Sequence, residues 1–597
     1  MKLGALFREA FEKAGVALPE KPAKRERVEG EQSKGKKSQT DRKRKKKPRP
    51  KAEKAKGLIR QAPKHVTPVE GKKTTVTKSG VTITRWSSPD LTASQPKKTT
   101  NQPVQAAVSQ DALPAGSDVG VAASITASAD ASVTWKTLSA GKPAALKRWP
   151  LDGRETALNR TAEEKFLYLG LDFGTSSLKA AITDRERQFT YAVPFRDRQG
   201  IAAYLLPCRV YLGDDGYNLD GRGVLFQDLK LALLSSVESS EAQQHVVGFL
   251  ALALRMIRGW LLSAHGDTYD GIIIWDLAVG LPVANLGDES IVTLYRTVST
   301  AAWIAAAGAQ LGQDAIRRAI KRAEALVAGA APESDCEDIE VAVKPEIAAQ
   351  IYGFVSSGAY DPNASNIYLL VDVGAGTLDA SVFHIKRHKG QDKDRLSIFK
   401  TTVEPHGAMN LHRQRMSWLQ TTLADQLPDR PDLIEGVAQI RHLTDAEGAI
   451  PDNIQGYFQG VGVQFKGLSI DQSFYQKVNA QVVANTYRKV LEEKRLSQLE
   501  MKGMPMFLCG GGSRSSFYAK LKDDLQSAPG YSWFGVSPKS LQRPQGLVAP
   551  GLPAADYDRL AVAYGLSQLK LERLVEEVPA LAEGQARLDF SGNYIEK

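Results

Sequence analysis

The sequence predicts an α/β protein in which mixed sheets covered by helices form two similar lobes, preceded by a long basic segment. Three observations carry this expectation. From about residue 165 to about residue 571, apolar runs of strand length alternate with glycine turns and long helical patterns, the texture of sheets packed under helices. Two segments about 200 residues apart, 166–182 and 366–383, repeat one plan of strand, aspartate, glycine turn and strand. Ahead of this body the charge balance changes: the first 100 residues carry 28 Lys and Arg against 10 Asp and Glu, and the remaining 497 carry 50 against 57. A mildly acidic globular body therefore follows a basic arm.

The chain as a whole is 42% hydrophobic and 24% charged over 597 residues, which argues against disorder or membrane burial throughout. Within 1–20, residues Leu6, Phe7, Phe11 and Ala14 fall at helical spacing and predict a short amphipathic helix, marginal alone at this length. From 21 to 64 the composition is dominated by Lys, Arg, Pro, Glu and Gln, with DRKRKKKPRP at 41–50. Such a run buries too little apolar surface to offset its chain entropy. Residues 72–87 predict a small hairpin around Ser79-Gly80, and 91–140 is rich in Ala, Ser, Thr and Val, so that 21–160 reads as a disordered basic stretch followed by a linker.

Cys208, Cys336 and Cys509 are far apart and lack a C-x-x-C spacing, which suggests neither a disulfide framework nor a zinc site and fits a reducing cytoplasm. Arg8, Glu9 and Glu12 interrupt the stretch where a secretory signal would need an apolar core. The most apolar later run, 246–263, contains Arg255 and Arg258 and is expected to be a buried amphipathic helix, not a membrane span. No membrane contact is expected.

The turns are where the chemistry concentrates. In FLYLGLDFGTSSLKAAI an apolar strand runs into Asp172 and turns at Gly174. The amides of Thr175, Ser176 and Ser177 suit phosphate oxygens in the manner of an anion-binding nest, and Asp172 at the strand end suits a magnesium ion held through its water shell. In NIYLLVDVGAGTLDASVF the same plan returns with Asp372, Gly374, Ala375, Gly376, Thr377 and Asp379. Each turn alone reads equally as an ordinary hairpin, but the pair suggests two lobes facing one another across a nucleotide. A third segment, PMFLCGGGSRSSF at 505–517, runs a strand into Gly510, Gly511, Gly512 and Ser513 and then into a helix. Its glycines expose backbone to a flat ligand, and Arg514 could stack on a purine.

In this order and spacing the three segments resemble the two phosphate motifs and the adenosine motif of the actin-like ATPase superfamily. They are most similar to the nucleotide-binding domain of the seventy-kilodalton heat-shock chaperones. KPEIAAQIYGF at 344–354 and RLAVAYGLSQL at 559–569 look like the two connecting helices. The resemblance implies duplicated ribonuclease-H-like lobes around a nucleotide cleft, lobe I at 165–365 and lobe II at 366–571, with ATP or ADP and Mg²⁺ as ligands. It implies that Lys230, in VLFQDLKLAL, stabilises charge at the γ-phosphate, that Glu346 helps position the attacking water, and that Asp379 orients water or metal. Asp172 and Asp372 would arrange the magnesium, with Thr175 and Thr377 at the phosphates.

The sequence departs from the family pattern in four ways. Pro345 precedes the glutamate instead of following it, Ala375 replaces a glycine, no adenine-clamping helix can be traced between Leu411 and Ile470, and the tail 572–597 is too short for a peptide-binding domain. The expected function is therefore a slow Mg²⁺-dependent ATPase acting as a nucleotide-dependent switch for a protein partner, with no client-binding domain in this stretch. A small-molecule kinase of the sugar-kinase type and a nucleotide-gated scaffold or filament remain open alternatives. The basic residues 21–64 suit nucleic-acid phosphates, although they lack aromatic residues for stacking on bases.

Overall fold

The computed structural model describes residues 121–135 and 145–568, apart from stretches at 155–156, 160–161, 236, 283–287, 331–338, 358, 362–363, 388–393, 442–449 and 528–534, together with strands Lys73–Lys78, Val81–Trp86 and Val575–Glu577. The helix expected near residues 5–15, the basic run 21–64 and Cys336 lie outside the described residues. The hairpin expected at 72–87 is present as an antiparallel pair, Lys73–Lys78 with Val81–Trp86.

The fold is mixed α/β, and its two main sheets share one strand order. The first contains β1 (Lys165–Phe173), β2 (Ser177–Asp184), β3 (Phe189–Ala192), β4 (Ile273–Leu281) and β5 (Ile339–Pro345) in the order β5-β4-β1-β2-β3. Strands β1, β2 and β3 form an antiparallel meander, while β4 runs parallel to β1 and β5 parallel to β4. The second contains β6 (Ile367–Val373), β7 (Leu378–Arg387), β8 (Asp394–Glu404), β9 (Pro505–Cys509) and β10 (Ser537–Lys539) in the order β10-β9-β6-β7-β8. Its first three strands are again antiparallel, with β9 parallel to β6 and β10 parallel to β9.

Alternation along the central strands explains the layers. In β1 the odd positions Leu167, Leu169, Leu171 and Phe173 enter a core shared with helices Ser240–His265 and Glu289–Ala307. On the opposite face Gly170 meets helix Ala561–Gln568, which lies so close that a Cβ on Gly170 would sit 2.2 Å from the Ala563 carbonyl oxygen. A strand covered on both faces reads as an unbroken apolar run. In β6, Ile367, Leu369, Val371 and Val373 enter a second core, while Tyr368 and Leu370 pack with Ile347 and Ile351 of helix Glu346–Val355.

The two connecting helices pack on one another. A Cβ on Gly565 would fall 1.8 Å from the Ala349 carbonyl oxygen, so the helices touch backbone to backbone and a larger residue must push them apart. Gly565→Val is expected to cost about 3 kcal/mol by overpacking, read as a lower urea midpoint with the slope of the transition kept. An unchanged midpoint would mean that this crossing gives way freely.

The 246–263 run lies in helix Ser240–His265, which alone among the described helices is long and apolar enough to cross a membrane, and 78% of that window is buried inside the protein. Its two arginines face the neighbouring helix: Arg255 Nε donates to the Ala306 carbonyl at 3.0 Å and the Arg258 guanidinium lies 4.9 Å from the Trp303 ring centre.

One stretch expected within the linker is ordered strand. Residues Ala123–Val133 pair antiparallel with Phe458–Phe465, and Ile125 and Ala131 join a core with helices Ala408–Gln426 and Pro431–Arg441. Small side chains gave this segment a weak strand signal. Its order comes from a partner more than 300 residues away: Gln426 Oε1 accepts from the Ile125 amide at 2.9 Å, and Arg430 donates to the Ser128 carbonyl at 2.9 Å.

Candidate functional site

The turns of the β1–β2 and β6–β7 hairpins are equal in length and register. Asp172 pairs across its hairpin with Lys179, and Asp372 pairs with Asp379. One cavity of about 520 Å³ is lined by both turns. Asp172, Gly174, Thr175, Ser176 and Ser177 line it from the first sheet, and Asp372, Gly374, Ala375, Thr377 and Asp379 from the second. Lys230, Glu346, Gly510, Gly511, Gly512 and Arg514 line the same space. Of the residues singled out from the sequence, Gly376 and Ser513 do not. Gly376 instead backs onto the opposing turn, where a Cβ would lie 3.0 Å from Thr175 Cγ2, and the Ser513 hydroxyl donates to the Gly510 carbonyl at 2.8 Å.

The turns are held from behind, which frees their amides. In the first, the Gly174 and Ser176 carbonyls accept from the Cys208 thiol at 3.1 Å and the Cys208 amide at 3.0 Å. In the second, the carbonyls of Gly376, Gly374 and Ala375 accept from the amides of Gly407, Ala408 and Met409 at 3.2, 3.0 and 2.8 Å, at the start of helix Ala408–Gln426. Asn410 Nδ2 adds a bond to the Gly376 carbonyl at 2.7 Å. With the carbonyls engaged, and the Gly174 and Gly374 amides closing their own turns on the Ser177 and Thr377 carbonyls at 3.2 and 2.9 Å, the N–H groups at the tip of each turn are the part that faces an anion. Ala375 is not among the residues with positive φ, so its methyl group causes no strain of the kind that would demand glycine.

Electrostatics divide the cavity. Asp172 is paired with Lys179 Nζ at 2.9 Å, and Lys230 Nζ with Glu346 Oε1 at 2.9 Å. Lys230 sits at the start of helix Leu229–Ser235 and is buried. Burial works against its charge, but Glu346, Tyr295 and Asp172 hold the ammonium well above the ordinary lysine range. In the second hairpin the compensation is only partial, from Lys179 for Asp372 and from Lys230 and a Thr377 hydrogen bond for Asp379. Burial is the main cause that pushes Asp372 up to about 6, against the Gln350 amide that donates to it at 2.7 Å. Burial, then Glu346 and Asp372, push Asp379 up to about 7. Asp379 Oδ1 is inaccessible and has no hydrogen-bond partner among the described residues. Two neighbouring carboxyls in this state call for protons or a cation.

At the third turn, Gly510 has φ +83°, and a Cβ there would lie 2.1 Å from Asp372 Oδ1. Only glycine brings this backbone against the aspartate. Arg514 is bound to Asp558 and donates to the Gly510 carbonyl at 3.0 Å and the Ala555 carbonyl at 2.9 Å. Between Leu411 and Ile470 the described residue that lines the cavity is Ile450, so no charged clamp comes from that interval among the described residues.

Sequence reasoning did not single out Lys179, Cys208, Gln350, Gly407, Asn410, Asp558 or Arg559. Lys179 alone had a visible signal, since it occupies in the first hairpin the position of Asp379 in the second. Compared with models of known protein families the chain matches none, and a search of curated proteins returns no relative.

Proposed function

We propose that the chain binds a magnesium nucleoside triphosphate, with ATP as the reading carried from the sequence, and hydrolyses it slowly in a two-lobed cleft of the actin-like type. The single observation behind this is the confrontation of two equivalent aspartate-bearing turns, from two sheets of identical strand order, around one cavity that also holds Lys230 and Glu346. The resemblance to the heat-shock chaperone nucleotide-binding domain points the same way.

The residues fit a magnesium ion better than a directly chelated metal. Among the described residues no cluster of three or more His, Cys, Asp or Glu could hold a metal ion, whereas magnesium keeps several waters and takes one or two carboxylates plus substrate phosphates. Asp172 and Asp372 would hold it, and when bound it neutralises charge on the β- and γ-oxygens. The turn amides would receive phosphate oxygens. Lys230 would meet the charge that develops as the terminal phosphoryl leaves, and Glu346, fixed by Lys230, would orient the attacking water together with Asp379. Opening and closing of the turns about the helix crossing would report nucleotide state to a partner.

Calorimetric titration of the full chain with ATP, ADP and GTP, with and without Mg²⁺, followed by phosphate release, tests the proposal. The expected result is Mg²⁺-dependent binding in the micromolar range or tighter and turnover without a second substrate. Turnover that requires an added sugar would replace the switch reading with a kinase, and no nucleotide binding at millimolar concentration would end both.

A further inference from the structure

The cleft contains a cation that the mechanism above leaves unused. Arg559 ends the 3₁₀ turn Ala554–Arg559, just ahead of helix Ala561–Gln568, and lines the same cavity as the three turns. A Cβ built on Gly511 would lie 3.0 Å from its Cζ and 3.2 Å from both Nη1 and Nη2. Three nearly equal distances put Gly511 over the face of the guanidinium, not at its edge, so the glycine leaves the N–H donors at the rim of the plane uncovered.

The neighbouring acids are already committed. Arg514 binds Asp558 and reaches Asp556 at 3.4 Å, the Gly510 amide donates to Asp558 Oδ2 at 3.1 Å, and Asp372 accepts from Gln350. Arg559 has no hydrogen bond or ion pair among the described residues, whereas Lys179 and Lys230 each have a carboxylate partner. Burial and the Arg514 charge outweigh the attraction of Asp558, Asp372 and Asp556, so its ionised form stays costlier than usual. An anion beside it removes that cost.

The position of Arg559 along the cleft indicates which anion. Gly510 abuts Asp372 Oδ1 and the next residue, Gly511, abuts Arg559. Consecutive Cα atoms are about 3.8 Å apart, so the arginine stands close to the metal-binding aspartate. Lys230, Glu346 and Asp379 already serve the end of the ligand where water attacks.

We propose that Arg559 is a phosphate-binding residue, donating to the α- or β-phosphate of the nucleotide, the part that remains bound after the terminal phosphoryl has left. This rests on the nucleotide reading of the cleft. It adds that the cleft retains diphosphate through a side chain unconnected with the chemical step.

The test is calorimetry of the full chain and of Arg559→Ala and Arg559→Lys with Mg-ATP, Mg-ADP and adenosine, alongside single-turnover hydrolysis. Arg559→Ala is expected to weaken ATP and ADP by tenfold to a hundredfold and adenosine by less than twofold. Arg559→Lys recovers part of the loss, and single-turnover hydrolysis at subsaturating ATP falls in step with the lost affinity. Gly511→Ala, which presses a methyl group onto the guanidinium, should weaken the same two ligands, and it keeps the proposal testable should Arg559→Ala fold poorly. Unchanged ADP affinity in a folded Arg559→Ala protein, or an equal loss for adenosine, overturns the arginine's role and leaves the nucleotide reading intact. A parent protein that binds neither ATP nor ADP overturns that reading, and the proposal with it.

Discussion

Lys230→Ala is expected to reduce ATP hydrolysis by about 100- to 1000-fold, the range for removing a preorganised group that meets charge developing in the transition state. The same substitution should destabilise the fold, because Glu346 would lose its partner at 2.9 Å while only 18% of its side chain is exposed. Breaking a pair this buried costs about 3 kcal/mol. The two effects can be separated. A double variant, Lys230→Met with Glu346→Gln, removes both charges and should recover most of the lost stability while remaining inactive. Phosphate release measured beside chemical unfolding checks both statements. A purified Lys230→Ala protein with the parent's turnover would remove the lysine from the mechanism.

Asp379→Asn is expected to move stability and activity in opposite directions. Burial and the nearby acids raise this carboxyl from 3.8 to about 7. The folded protein therefore keeps the proton up to about pH 7, whereas the unfolded chain releases it near pH 4. Between those values the fold binds more protons than the unfolded chain, so this group's contribution to stability falls as pH rises and is lowest above pH 7. At about 1.4 kcal/mol per unit, the penalty at pH 8 is on the order of 2–4 kcal/mol. Asparagine carries no charge and escapes it. The variant should melt several degrees above the parent at pH 8 and near it at pH 5, while hydrolysis falls about 100-fold. Magnesium with nucleotide should stabilise the parent more than the variant, since a bound cation relieves the same strain. Equal melting temperatures at pH 8 would mean that the carboxyl is not held under stress.

The parts of this site that could be read in advance share a local cause. Asp172 and Asp372 end apolar strands, and the glycines and small residues after them force a turn whatever the rest of the chain does. Lys230 was legible only through its surrounding motif, since a lysine on a short helix has no local mark of burial. The even spacing between the two hairpin acids and the residues opposite them was also present in the letters, but its meaning was not. Lys179 pairs with Asp172, whereas Asp372 aggravates Asp379, and that contrast appears only once register sets each pair face to face.

Other features had no local signal. Cys208 supports the first turn through its thiol and amide, and Gly407 with Asn410 supports the second, although neither group stands out by composition. The strand at Ala123–Val133 read as linker because alanine and serine bury little by themselves, and its order depends on Phe458–Phe465.

The sequence by itself therefore determined the strand–turn–strand hairpins, the apolar runs that become central strands and the glycines at the third turn, because backbone geometry and side-chain alternation act over a few residues. Tertiary structure decided which charges meet. Lys230 finds Glu346 and Arg514 takes Asp558, while Arg559 has no hydrogen-bond or ion-pair partner among the described residues. Pairing energies depend on distance and burial between residues tens to hundreds of positions apart, and local sequence carries no record of either.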